Sequence, residues 1–176
     1  MGNKPVISDN APTAVILFAG GGGIEAGMVE AGIRPVVAVE CDRGATPSEY
    51  RTLTKLSIAI ADNHDRNFSE YGCKLIRQTV QEVAAAGFPD FPHQRIDYLH
   101  ASPVCSNFSN AKSDRIESQC DRDCAITVGN VIAYLQPKNF TLENVVGYKK
   151  SESFHIILDV LETEGYQVAW DIVNMA

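Results

Sequence analysis

Between Thr13 and Asp42 the chain reads "TAVILFAGGGG", then "IEAGMVEAG", then, after two residues, "PVVAVECD", and this order restricts its fold more than any other feature. The first and third pieces are short apolar runs rich in Val and Ile, the composition of strands covered on both faces. The middle piece carries apolar residues at helical spacing and closes on Gly32, a stop signal for a helix. Two strands joined through a helix pair in parallel, and the crossover between them is right-handed.

The alternation continues. The pattern predicts a loop over 43–55, a helix over 56–68, a strand over 73–80, a helix over 81–87, a Pro-rich loop over 88–95 and a strand over 96–102. A helix over 124–136, a strand over 139–145, a helix over 153–165 and a last strand over 166–175 complete it. Strands alternating with helices imply an α/β chain with a doubly wound, mostly parallel sheet. With 176 residues, 45% of them hydrophobic, and no long apolar run, the chain has material for one core and no membrane span. Residues 1–12 read as a loose tail and 13–176 as the domain. The N-terminus lacks the apolar centre of a secretory signal and the five cysteines form no paired framework, so a reducing cytoplasm is the expected compartment. A net charge of −7 argues against a domain that grips nucleic acid with its whole surface.

The glycines Gly20 to Gly23 fall at the carboxyl end of the first strand, where doubly wound sheets bind nucleotides and where glycine lets the backbone approach a ligand. Glu40 ends the second strand, placed to accept hydrogen bonds from ribose hydroxyls. Together they point to an adenosine-type cofactor. Cys105 raises a different question, because it follows a proline and precedes Ser106 and Asn107, whereas a cysteine kept for packing sits among apolar neighbours. Cys120 and Cys124, four residues apart, make a poor zinc site without two further close ligands. Cys73 reads as core, and His64, His93, His100 and His155 have no ligand spacing.

Three stretches in chain order, "LFAGGGG", "SPVCSNFS" and "LENV", resemble the motifs of the cytosine-5 DNA methyltransferase family. The resemblance runs from about Thr13 to the last residue. It implies the Rossmann-like fold of S-adenosylmethionine-dependent methyltransferases, with that cofactor held by Phe18, Gly20, Gly22, Gly23, Ile24, Glu40, Cys41, Thr79 and Val80. It further implies Cys105 as the covalent nucleophile and Glu143 as the acid that anchors the base. Pro103, Ser106, Ser109, Asn144 and Val145 would line the cytosine site. The polar segment after Cys105, through Cys124, would close over an extruded base, with Lys112 and Arg115 near phosphates.

The match has departures. Ile16 and Leu17 stand where the family carries an acid before its first motif, and Thr79 stands where an aspartate usually contacts adenine. Pro-Pro-Cys-Gln becomes Pro103, Val104, Cys105 and Ser106. The sequence to Ala176 contains no Gln-x-Arg-x-Arg motif, target-recognition domain or final cofactor motif. The expectation is therefore a partial catalytic domain with little activity alone, meeting double-stranded DNA through a C-terminal lobe and self-associating or joining a companion subunit. A nicotinamide-dependent oxidoreductase on the same glycine turn and a non-catalytic partner-binding fragment are the alternatives. Within the family, tRNA is the alternative substrate.

Overall fold

The computed structural model describes residues 5–41, 55–108 and 116–173, without the side chains of 55–58. Among the described residues five strands form one parallel sheet: β1 (Thr13–Leu17), β2 (Arg34–Val39), β3 (Lys74–Ile76), β4 (Tyr98–Ala101) and β5 (Asn139–Leu142), in the order β3-β2-β1-β4-β5. Helices α1 (Gly23–Glu30), α2 (Lys55–Phe68), α3 (Val80–Ala85), α4 (Gln119–Leu135) and α5 (Glu152–Thr163) alternate with them.

The apolar run of β1 forms its central strand because both of its faces are covered. Val15 and Leu17 point into a cluster with Val83 of α3, Val128 and Ile132 of α4 and Ile157 of α5, while Ala14 and Ile16 point into a second cluster with Val29 of α1 and Phe68 of α2. Each fully buried Val, Ile or Leu contributes about 1.5–3 kcal/mol relative to exposure. The helices thus lie on both faces, as the alternation predicts. Strand order reverses between β1 and β4, and ligands of open parallel sheets bind at such a reversal, beyond the carboxyl ends of the strands.

Two expectations are corrected. Helix α4 begins at Gln119, five residues before the predicted start, because Ser118 and Asp121 form a reciprocal cap: the Ser118 side chain accepts from the Asp121 N–H, and the Asp121 carboxylate accepts from the Ser118 N–H. The polar stretch expected as one closing loop is therefore helical from Gln119 onward, and its part over 109–115, with Ser109, Lys112 and Arg115, lies outside the described residues. The predicted last strand is not a strand over its described part, 166–173. That segment runs alongside β5 without pairing to it, anchored where the Tyr166 hydroxyl donates to the Pro137 carbonyl at 2.6 Å. A cavity of about 530 Å³ separates its residues 166–171 from β5 and α5. Apolar alternation makes a strand only where a neighbour supplies the ladder.

Candidate active site

Each motif singled out in the sequence stands at the carboxyl end of a strand. The glycine turn follows β1, Glu40 follows β2, Thr79 follows β3, Cys105 follows β4 and Glu143 follows β5.

The glycine turn is held from the neighbouring strand: the Gly20 N–H donates to the Glu40 carboxylate at 2.8 Å and the Ala19 N–H to the Val39 carbonyl at 3.1 Å. Glu40 is only 5% exposed. Gly22 has φ +92°, and a Cβ there would lie 2.1 Å from the Phe68 ring, so no other residue fits without moving that ring. Cβ atoms built on Gly20, Gly21 and Gly23 meet nothing within 4 Å, which leaves open space over the turn. Phe18 itself has φ 60°, unusual for an aromatic residue and of a kind that collects at functional sites.

Beside the turn lies a cavity of about 200 Å³ lined by Phe18, Cys41, Thr79 and Val80, which brings together four of the residues expected to hold a cofactor. Val104, Ser106, Cys120 and Cys124 close its other side, so the cavity reaches the Cys105 turn. Thr79 caps α3; its hydroxyl donates to the Glu82 carboxylate and accepts from the Glu82 N–H. Burial pushes the Cys124 thiol up to about 12, with the neighbouring Cys120 adding to the shift, and burial likewise pushes Cys73 up to about 12. Neither supplies a thiolate at neutral pH. Cys105, in contrast, is exposed.

The Cys105 turn is fastened at four points. The Phe108 N–H returns to the Cys105 carbonyl at 3.0 Å, and the Asn107 amide donates to the Asp121 carboxylate of the α4 cap at 2.7 Å. The Asn144 amide donates to the Pro103 carbonyl at 2.9 Å, tying the segment after β5 to the one before the cysteine. Phe108 is buried edge-on against Tyr148, ring centroids 4.9 Å apart, in the 3-10 turn Val146–Lys150. Glu117, just past the undescribed stretch, accepts from the Glu152 and Ser153 backbone N–H groups and the Ser153 hydroxyl at the start of α5. Burial alone would raise its carboxyl, but these donors outweigh burial and hold it below the usual carboxylate range.

Glu143 projects beyond β5 and accepts a hydrogen bond from Ser102 at 2.9 Å. Ser102 also meets His100, a residue to which the sequence assigned no role and which is 95% hidden from solvent (5% exposed). No local pattern could have found it, since its partner Thr141 comes from another strand. Burial lowers the His100 pKa, against the charges of Glu143 and Glu25, which raise it. A histidine kept neutral in the fold takes up its proton more readily when unfolded, so stability falls as the pH drops below about 6.5, the ordinary histidine value. Urea unfolding at pH 7.5 and 5.5 is expected to show this loss, and His100→Gln to shrink it; an equal loss in both proteins would exclude His100 as its source.

Parallel order, a strand-end glycine turn and a cavity across the reversal define a Rossmann-like nucleotide-binding fold. Solved structures share this fold, two of them as follows. A DNA modification methyltransferase encoded within an E. coli prophage matches with TM-score 0.56 and 22% identity, over 86% of this chain and 37% of the other. S. pombe Dnmt2 matches with TM-score 0.53 and 18% identity, over 88% and 41%. The sequence model of the C-5 cytosine-specific DNA methylases matches residues 13–176, and the chain belongs to that family. Among curated relatives, the type II methyltransferase M.Sau96I of Staphylococcus aureus is 28% identical over 89% of this chain and 33% of its own length. M.Bsp6I of Bacillus sp. (strain RFL6) is 28% identical over 90% and 44%. The chain thus spans a third to less than half of the length of these relatives.

Proposed function

We propose that this chain carries the catalytic and cofactor-binding part of a DNA cytosine-5 methyltransferase that uses S-adenosylmethionine. The observation that carries the reading is the joining of Cys105 and Glu143 on adjacent strand ends, bridged by Asn144 to Pro103 and by Ser102 to Glu143. The open space over the glycine turn, the buried Glu40 beside it and the cavity lined by Phe18, Cys41, Thr79 and Val80 fit an adenosyl group. Glu40 would take the ribose hydroxyls, and Gly22, Gly23 and Ile24 would shape the approach. S-Adenosylmethionine, when bound, supplies a methyl group on a positively charged sulfur.

The chain's own residues do the rest. A cytosine in a duplex is out of reach, so the base must be extruded to meet Cys105. The sulfur of Cys105 bonds to carbon 6 of the ring, and the displaced electron pair moves toward N3, where Glu143 delivers a proton. Carbon 5 is then nucleophilic and takes the methyl group. Loss of the carbon 5 proton to solvent restores the carbon 5–carbon 6 double bond and expels the sulfur, and the N3 proton returns to Glu143, so that both Cys105 and Glu143 are regenerated. Pro103, Ser106, Asn144 and Val145, with Ser109 beyond the described residues, would frame the base.

The decisive test uses DNA carrying 5-fluorocytosine, whose fluorine cannot leave as a proton does. Intact mass of the full-length protein after incubation with this DNA and the cofactor is expected to show a covalent adduct, and peptide mapping to place it on Cys105; its absence rejects the reading. Glu40→Ala is expected to weaken binding of S-adenosylhomocysteine about 10- to 100-fold in calorimetry, because a hydrogen bond to a charged group contributes about 1.5–3 kcal/mol. Tighter binding of NADH than of S-adenosylhomocysteine would favour an oxidoreductase instead.

We further propose double-stranded DNA as substrate, in the cytoplasm of a restriction-modification setting, with a companion subunit or a second copy as partner. No described helix is long and apolar enough to cross a membrane. The support for a partner is the apolar surface beside β5, where Trp170 is 61% and Val173 72% exposed. Light scattering is expected to show association of the chain with itself or with that subunit. A monomer at all concentrations, alone and mixed, removes this part.

A further inference from the structure

We propose that Thr141, His100 and Ser102 form a one-way chain of hydrogen bonds ending on Glu143, and that Ser102 and His100 are positioning residues that hold this carboxylate for the base. This deepens the methyltransferase reading and rests on it.

The sheet puts the four side chains side by side. His100 of β4 and Thr141 of β5 are register partners, and Ser102 and Glu143 each lie two residues further along, on the same face by the period of a strand. The contacts follow: His100 Nδ1 to Thr141 Oγ1 at 2.8 Å, His100 Nε2 to Ser102 Oγ at 3.2 Å, and Ser102 Oγ to Glu143 Oε2 at 2.9 Å.

Proton counting sets the direction. Glu143 Oε2 accepts whether the carboxyl is ionised or holds its proton on Oε1, so the single Ser102 hydroxyl proton goes to Glu143. Ser102 is then an acceptor toward His100, which must carry its proton on Nε2. A neutral imidazole has one N–H, so Nδ1 accepts, and the Thr141 hydroxyl donates to it. Burial, which disfavours imidazolium, keeps the ring in this form. Every donor points toward Glu143, and bonds aligned in this way polarise one another.

The consequence is geometric. Glu143 is exposed, and a free glutamate there would sample many rotamers. Ser102 occupies Oε2 and so leaves Oε1 to meet the cytosine edge. His100, buried on β4 and held by Thr141 of β5, fixes the Ser102 rotamer that makes this possible. Transition-state chemistry tolerates little misplacement of the proton donor.

The first measurement needs neither DNA nor cofactor. Long-range ¹H–¹⁵N correlation of the histidines in the chain is expected to show His100 as a single Nε2–H tautomer at pH 7.5. Ser102→Ala and Thr141→Val should each release that preference and produce a tautomer mixture, while Ser102→Thr should keep it. An Nδ1–H tautomer in the unaltered chain, or a spectrum unchanged by Ser102→Ala, overturns the proposal. The second measurement uses the full-length protein. Ser102→Ala is expected to slow adduct formation with 5-fluorocytosine DNA about tenfold, the order of one lost hydrogen bond to a charged group, with unchanged KM for DNA and restoration by Ser102→Thr. An unchanged rate in Ser102→Ala while Glu143→Gln slows the reaction refutes the positioning role alone. If Glu143→Gln has no effect either, the reading of Glu143 falls, and the positioning role falls with it.

Discussion

In the full-length protein, Cys105→Ala is expected to abolish both methyl transfer and the covalent adduct, with the cofactor still bound. The argument rests on position as much as on element. Cys73 and Cys124 are buried with thiols pushed up to about 12, so they cannot stand in. Cys41 and Cys120 line the cavity beside the glycine turn, and only Cys105 stands on the turn tied to the Glu143 segment through Asn144 and Pro103. Glu143→Gln is expected to be milder in kind: the cofactor binds as before, the adduct still forms, and its rate falls by about 10²–10⁴, the usual cost of a lost positioned acid. Labelled cofactor and intact mass read both variants on the same DNA. Methylation surviving Cys105→Ala would sink the covalent mechanism.

The parts of this site legible in the sequence are those whose chemistry is local in the chain. The glycine turn announces itself because four glycines follow a run buried on both faces, and Cys105 because its neighbours are polar. The start of α4 was missed for the opposite reason: Ser118 and Asp121 form a cap from polar residues, and in a charged stretch a cap reads as loop. The segment over 166–173 alternates as a strand does, but pairing is a property of two segments, and β5 does not take it up. His100 and Thr141 are 41 residues apart and meet only because β4 and β5 are neighbours in a particular register. No spacing rule carries that information. The same holds for Gly147, unremarkable in "ENVVGYKK" and yet a contact between two motifs.

Gly147→Ala is expected to disable the site without touching a reacting group. Gly147 lies in the 3-10 turn after the Glu143 motif, and a Cβ built there would stand 2.3 Å from the carbonyl oxygen of Phe108 and 3.3 Å from its carbonyl carbon. The opposing atoms are backbone, so no side-chain rotation relieves the contact. Removing a glycine from the unfolded chain would by itself stabilise the protein by about 0.4–1 kcal/mol. Overpacking of a close contact costs about 1–3 kcal/mol, so the clash wins and the net effect is destabilising. The turn has one direction in which to yield, away from Phe108, and that motion strains the Phe108–Tyr148 contact and the Asn144–Pro103 bond that hold the Cys105 turn against the Glu143 segment. Urea unfolding should therefore show a lower midpoint, and the protein that remains folded should form the 5-fluorocytosine adduct at least tenfold more slowly, because a small displacement of the reacting groups is enough to slow the step by such a factor. A destabilised Gly147→Ala protein with an unchanged adduct rate per folded molecule would mean that the two motifs are not mechanically joined at this contact.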